Sequence, residues 1–220
     1  MKHSVVTKSI FILLIALLRF APALSAQEER TPHRVSFSAT LTSSDSYSTE
    51  IAYHYMFCNY AGVGGALGYW ANWYEDGWAS GRNWNIADDD NKPSNLYLRP
   101  SVVLKTPGLK IRAASWSLFA EPGIMLNVPY QRVCIESTPN WPTTDYDYIS
   151  TGKGQWFAMD LRVGIALEMG PCGLSAGYVM SNLDIYSQYR HLSYKGVSFE
   201  KFYPEKPFMQ GAYISLSYNF

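Results

Sequence analysis

The sequence has 220 residues with 18 basic and 18 acidic side chains, so its formal net charge is zero at neutral pH. This balance argues against a nucleic-acid-binding surface, which needs an excess of Lys and Arg. Aromatic residues make up 15% of the chain and charged residues only 16%, which is less charge than a soluble secreted domain usually carries. The composition therefore points towards contact with a membrane.

The first 26 residues have the organisation of a secretory signal peptide. Basic residues lie between Lys2 and Lys8, an apolar run spans 10–18, and small residues lead to Ala26. The apolar run has about nine residues, whereas a membrane-spanning helix needs roughly 20. We therefore expect cleavage after Ala26 and a mature barrel domain over 27–220. The alternative is an uncleaved anchor.

Apolar and polar residues alternate along eight segments of the mature chain. A period of two is the signature of a β-strand with one apolar and one polar face. In the clearest segment, Phe157 and Met159 lie on the apolar side and Asp160 and Arg162 on the other. The predicted strands span 33–42, 50–57, 62–73, 95–105, 115–128, 156–169, 172–181 and 212–220.

The connections between these strands differ in length in a regular way. Three connections of about 20 residues, 74–94, 129–154 and 184–207, alternate with short ones, and the first connection, near 43–47, is also short. In an up-and-down barrel, alternate connections lie at opposite ends, so the three long loops share one rim. Short turns on one rim, long loops on the other and an even strand number are typical of bacterial outer-membrane barrels. The pattern predicts an all-β, eight-stranded antiparallel up-and-down transmembrane β-barrel.

The chain resembles the small eight-stranded outer-membrane barrels, the OmpX-like family, in its architecture and its last strand. There, Ile214, Leu216, Tyr218 and the terminal Phe220 alternate with small polar residues. Members of this family commonly end on such a pattern, which the barrel assembly machinery reads. The resemblance implies that Phe220, Tyr218 and Leu216 form the assembly signal. It also implies an outer-membrane location in a Gram-negative-type bacterium, with loops at the cell surface in contact with lipid and lipopolysaccharide.

Two other readings of the alternation place the apolar faces inward. One is a soluble ligand-binding barrel of lipocalin or avidin type, and the other is a β-sandwich. In the preferred reading the apolar faces meet lipid, and the chain is expected to be a monomer with a structural or surface-interaction role.

Charged residues occur on the inward faces of the fourth, fifth and sixth predicted strands. Buried charges persist only when they are paired, and an eight-stranded barrel is narrow enough for side chains to fill it. We therefore predict a packed lumen, with Glu50, His54 and Glu168 as further candidates for the network. The alternative is a narrow conduit for small or apolar solutes. The predicted charge network consists of Arg99, Glu121, Asp160 and Arg162.

One loop segment carries residue types suited to acyl hydrolysis. His191 and Ser193 lie two apart, and Glu200 or Glu205 would have to orient the histidine. The lipid A deacylases, which are also eight-stranded barrels, resemble this segment in their His-x-Ser pair, but the Asn that follows it there is Tyr194 here. A hydrolase is thus the alternative function, and we predict no enzymatic activity.

The long loops are rich in aromatic residues. Those nearest the strands are expected to form the girdle at the membrane interface. Trp78, Trp84 and Trp141 lie further out and are predicted to recognise an external partner or glycan, because exposed Trp favours such contacts. The alternative is that the loop aromatics pack into a compact cap.

No metal or cofactor site is predicted. The oxygen-rich segment 88–91 does not have the ligand spacing of a calcium loop, and we expect a solvated acidic loop. Cys58, Cys134 and Cys172 fit no metal-binding pattern. A disulfide between two of them would leave one thiol free, and the sequence does not select a pair.

Overall fold

A computed structural model describes residues 32–74, 77–128, 130–140 and 143–220. The predicted signal peptide and Trp141 lie outside these residues. None of the helices in the described ranges is long and apolar enough to span a membrane.

Eight long strands form one closed antiparallel sheet, to which the short strand Leu109–Ile111 is added at one turn. Each strand pairs with the next along the chain, and the last pairs with the first, from Arg34 opposite Asn219 to Thr42 opposite Gly211. The predicted eight-stranded up-and-down barrel is therefore confirmed. The strands are β1 (His33–Thr42), β2 (Ser46–Cys58), β3 (Ala61–Asn72), β4 (Ser94–Lys105), β5 (Ala114–Asn127), β6 (Phe157–Met169), β7 (Cys172–Ser181) and β8 (Met209–Asn219).

The two faces of the barrel wall have opposite chemistry. Outward side chains such as Phe37 (53% exposed) and Leu67 (58% exposed) are apolar, whereas inward side chains such as Arg99 and Ser215 are polar and buried. A soluble barrel would place the apolar set inside, so the soluble ligand-binding reading is wrong. An apolar outer wall around a polar interior is the arrangement of a transmembrane β-barrel.

The two rims differ as the loop lengths predict. The short-turn rim contains the connections at 59–60, 106–113 and 170–171. The two chain ends of the barrel also meet there, because His33 and Phe220 exchange two backbone hydrogen bonds of 3.1 and 2.9 Å. The opposite rim, here called the loop rim, contains the short turn at 43–45 and the three long connections.

The three long connections are folded and pack on one another. We refer to the described parts of 73–93, 128–156 and 182–208 together as the cap. Segments from the first two connections form a sheet of four strands, and the third adds a single turn of α-helix and a small hairpin. The cap strands and helix are Ser80–Gly81, Trp84–Ile86, Gln131–Asn140, Thr143–Thr151, Ser187–Arg190, Ser193–Tyr194 and Val197–Ser198.

Glycines on the inward faces make room for large side chains in the lumen. A Cβ added at Gly68 in β3 would lie 2.2 Å from Cζ of Tyr97, which is 1% exposed. By contrast, Gly65 lies on the outward face of the same strand, between Val63 and Leu67, and a Cβ there would lie 3.8 Å from the nearest atom, an ordinary contact. The Tyr97 ring therefore fills the space that the missing side chain of Gly68 leaves.

Gly68→Ala is expected to lower the free energy of unfolding by about 1–3 kcal/mol, because the new methyl group overlaps the buried ring. Gly65→Ala is the matched control and should change it by less than about 0.5 kcal/mol. Urea unfolding in detergent micelles, followed by tryptophan fluorescence, measures both. Equal stability of the two variants would contradict this account of the lumen packing.

Candidate functional site

The carboxylate of Glu50, in β2, lies at the centre of the lumen between two guanidinium groups. Arg99 Nε and Nη2 donate to it at 3.1 and 3.0 Å, and Arg162 Nη1 and Nη2 donate at 2.8 Å each. The Tyr97 hydroxyl donates a further bond at 3.0 Å. All four side chains are 3% exposed or less. Glu50 is therefore held by two bidentate, charge-assisted pairs, the strongest kind of hydrogen bond in proteins.

Two further carboxylates complete what we call the charge layer, which comprises Glu50, Arg99, Glu121, Asp160 and Arg162. Glu121 accepts hydrogen bonds from Arg99 Nη2 and, at 3.2 Å, from Ser101 Oγ. Asp160 lies 3.3 Å from Arg162 Nε and 3.7 Å from Arg99 Nη1. The layer thus contains two cationic and three anionic side chains in mutual contact.

The structure brings together the four residues of the predicted charge network. Glu121 and Arg162 are direct cross-strand partners of β5 and β6. Glu50 was only a further candidate in the sequence, yet it contacts both guanidinium groups. The alternation with Ile51 predicts that Glu50 points inward from β2. The alternation does not predict that Glu50 is central to the network, because that depends on how far arginine side chains reach across the lumen.

Above the charge layer, towards the loop rim, large apolar side chains fill the lumen together with buried amides such as Asn72 and Asn127. Trp70, Tyr97 and Met125 project inward from β3, β4 and β5, and each is 5% exposed or less. They belong to the same buried apolar cluster as the core of the cap. The charge layer and this cluster together close the lumen.

The core of the cap is built from aromatic rings that the sequence placed in loops. Trp84 is 5% exposed, stacks on Phe199 with ring centroids 5.9 Å apart, and meets the edge of Tyr194 at 5.2 Å. This position corrects the prediction that Trp84 presents its ring to a partner, because packing buries it. Trp78 is 38% exposed, and Trp141 lies outside the described residues, so recognition by these two remains a prediction.

Hydrogen bonds from buried tyrosines join the separate loops. The Tyr189 hydroxyl donates to the Asp90 carbonyl at 2.6 Å, and the Tyr203 hydroxyl donates to Asn91 Oδ1 at 2.7 Å. Burial raises the pKa of Tyr189 well above its ordinary value, so this hydroxyl stays protonated and remains a donor. Asp90 Oδ2 also accepts the backbone N–H of Cys134 at 2.6 Å.

The acidic segment 88–91 is therefore part of the cap framework, which corrects the expectation of a solvated loop. Its residues 88–90 form a short 3₁₀-helix, and Asn91 is 1% exposed. Within the described residues, no group of three or more potential ligands is arranged to hold a metal ion.

The alternative hydrolase site is not assembled in the structure. His191 follows the helical turn Ser187–Arg190 and its Nδ1 lies 2.7 Å from the Ser187 carbonyl oxygen. Ser193 starts a separate two-residue strand, so the pair does not share the face of one strand. Among the hydrogen bonds found in the described ranges, none joins His191 to Ser193, Glu200 or Glu205.

The three cysteines are free thiols in separate places. Cys58 ends β2 and Cys172 begins β7, both at the short-turn rim, whereas Cys134 is buried in the cap. The two at the rim lie on strands separated by β1 and β8. The structure therefore contains no pair that would form the disulfide left open by the sequence.

Glu50→Gln is expected to lower the free energy of unfolding by about 3–5 kcal/mol, the typical cost of removing one partner from a buried ion pair. The amide keeps the shape of the side chain but turns an N–H donor towards a guanidinium. Glu168→Gln is the control, because that side chain lies at the rim and is 30% exposed. The stability of the two variants is compared by their urea unfolding midpoints in lipid bilayers. An equal loss of stability in both variants would contradict the central role of Glu50.

No protein-family model and no curated protein matches the chain. Among solved structures, the chain is similar to neisserial surface protein A, with 11% identity over 88% of this chain and 100% of that chain and a TM-score of 0.42. It is also similar to a major outer membrane protein from Thermus thermophilus, with 12% identity over 86% and 99% of the two chains and a TM-score of 0.47. The outer membrane enzyme PagL is another, with 11% identity over 85% and 99% and a TM-score of 0.37. Likeness at this level carries no argument about activity. By its own strand pairing and apolar wall, the protein is a small eight-stranded β-barrel of the outer-membrane type.

Proposed function

We propose that the protein is a monomeric, non-conducting barrel of the outer membrane of a Gram-negative-type bacterium, and that its function is carried by the cap at the cell surface. The observation that supports this most directly is that three long connections form one folded unit with its own apolar core. A rigid unit on a closed barrel is suited to a structural role or to contact with an external partner. Catalysis is not part of this proposal, because His191 and Ser193 are not paired.

The closed lumen argues against transport as the main function. A continuous path would need the pairs of Glu50 with Arg99 and Arg162 to separate, and it would also need Trp70 and Tyr97 to leave the lumen. Separating buried ion pairs leaves uncompensated charges, which is costly. We therefore do not favour a conduit for small or apolar solutes.

The exposed surface of the cap offers aromatic side chains on a stable framework. Tyr146 and Tyr148, on the outer strand of the cap sheet, are 62% and 60% exposed, and Trp78 is 38% exposed. The guanidinium of Arg132 lies 4.2 Å from the centroid of the Tyr148 ring. Aromatic side chains on a rigid backbone contribute strongly to recognition and lose little entropy on binding. We propose this surface as the site of contact with an external protein or glycan.

The aromatic residues at the ends of the strands are suited to membrane contact. At the loop rim, Trp73, Tyr130 and Trp156 are 47%, 54% and 58% exposed, as expected of an interfacial girdle that meets lipid and lipopolysaccharide. At the other rim, Leu216 and Tyr218 point outward next to the terminal Phe220. We propose this edge as the signal read by the barrel assembly machinery.

The orientation of the barrel in the membrane is tested by proteolysis of cells, and the closure of its lumen is tested by conductance in planar bilayers. Trypsin added to intact cells is expected to cut the cap at Lys195, which is exposed, but to cut at Arg112, in the short-turn connection, only after the outer membrane is opened. Purified protein should give no conductance above that of a protein-free bilayer. A steady conductance would favour the conduit. Cleavage at Arg112 in intact cells would show that the short-turn rim, and not the cap, faces the cell exterior.

The recognition surface is tested with the double variant Tyr146→Ser, Tyr148→Ser. Because both rings are exposed, the heat-dependent gel shift and the urea midpoint should stay within error of the original protein. Binding of the labelled, detergent-solubilised protein to a glycan array should fall several-fold relative to the original chain. If the original chain binds no glycan more strongly than the variant does, glycan recognition by this surface is ruled out.

A further inference from the structure

The lumen has two halves of different chemistry on either side of the charge layer. Towards the loop rim, Tyr97, Met125 and Met209 belong to the apolar cluster shared with the cap. The inward amides of this half are hydrogen-bonded to protein groups, as for Asn72 with the Tyr186 hydroxyl at 2.7 Å and Asn95 with the Val128 carbonyl at 2.7 Å. Towards the short-turn rim, the inward side chains are mostly charged or hydroxyl-bearing. This second set includes Arg34, Ser36, Lys105, Ser175, Ser215 and Ser217.

A small cavity lies in the polar half. Its volume is about 10 Å³, and its polar lining comes from several strands around the barrel. A cavity of roughly 10–15 Å³ accommodates one water molecule when polar partners surround it. Besides Glu121 of the charge layer, the polar lining residues are Arg34, Ser36, His54, Lys105, Ser175 and Tyr213.

Buried polar atoms of the lining have no hydrogen-bond partner in the described protein. These atoms are Nη1 of Arg34 and Nδ1 of His54, and the two residues are 7% and 2% exposed. Arg34 Nη1 lies 3.7 Å from Glu168 Oε1, which is an ion pair but too long for a hydrogen bond. Most buried polar atoms form hydrogen bonds with protein or with ordered water. The two atoms are therefore expected to bond to water in the cavity.

A hydrogen-bonded ion pair lies between the cavity and solvent at the short-turn rim. Lys105, which lines the cavity, donates a hydrogen bond to Glu168, and the Glu168 side chain is 30% exposed. In the opposite direction the cavity is bounded by Glu121, which is bonded to Arg99 in the charge layer. Beyond that layer, Tyr97 and Met209 are 1% and 6% exposed and pack in the apolar cluster.

We propose that the short-turn half of the lumen is a hydrated vestibule. Water bound between Arg34 and His54 exchanges with solvent at the short-turn rim, the charge layer ends the vestibule, and the loop-rim half of the lumen is dry. The barrel is thus hydrated from one side only. This property is separate from the proposed surface function, which requires only that no path crosses the whole lumen.

Radiolytic hydroxyl-radical footprinting of the full protein in lipid nanodiscs tests this, because the radicals form from water at the side chains they oxidise. Phe119 and Tyr213 line the cavity and are both 7% exposed, whereas Tyr97 and Met209 are 1% and 6% exposed on the other side of the charge layer. We expect Tyr213 to be oxidised several-fold faster than Tyr97, and Phe119 faster than Met209, although methionine is intrinsically the more reactive type.

Two outcomes would overturn the proposal. Equal protection of all four side chains would show a dry lumen, and rapid oxidation of Tyr97 and Met209 as well would show water along its whole length. Ser175→Val, which places methyl groups in the cavity, should reduce the oxidation of Tyr213 several-fold. Ser181→Val, on the same strand but opposite Asp160 in the sheet register and outside the cavity lining, should not. If Ser175→Val fails to show the gel shift of a folded barrel, the comparison of side chains in the original protein still decides the question.

Discussion

The double pairing of Glu50 with Arg99 and Arg162 is the interaction on which the rest of the barrel depends. A carboxylate inside a narrow lumen is unfavourable unless charged donors surround it, and here two guanidinium groups approach it from β4 and β6. Because β2, β4 and β6 each supply one partner, the interaction crosses the barrel and connects strands that are not neighbours in the sheet. A one-residue slip in any of these strands would turn its charged side chain towards lipid, so the pairing also fixes the register.

The charge layer also separates two regions with different packing. Above it, apolar side chains of the barrel and the cap form one continuous core, so the loops are held by the same contacts that fill the barrel mouth. Below it, polar side chains leave a small cavity near the short-turn rim. The mouth of the barrel and the cap are therefore expected to fold together. This explains how three long connections become a single rigid unit.

The sequence predicted the barrel well because the membrane imposes a simple rule. Every strand must present apolar residues to lipid and polar or small residues to the lumen, so a period of two persists through segments such as Phe157–Met169. The cap follows no such rule. Its strands at Trp84–Ile86 and Gln131–Asn140 are distant in sequence, and only their pairing reveals that Trp84 is buried. The role of Glu50 was similarly hidden, since alternation gives the face of a residue but not the reach of its partners.

The high aromatic content, which first indicated a membrane protein, is divided among three environments. Residues such as Trp73 and Trp156 lie at the rim, residues such as Trp84 and Tyr189 fill the cap core, and Tyr146 and Tyr148 remain exposed on the cap. The number of aromatic residues in a loop therefore does not measure its capacity to bind a partner. Rings in the core cannot contact a partner without unfolding the cap, and rings at the rim are positioned for the membrane interface. The proposed recognition therefore depends on the few exposed rings of the cap sheet, which packs on the aromatic residues buried beneath it.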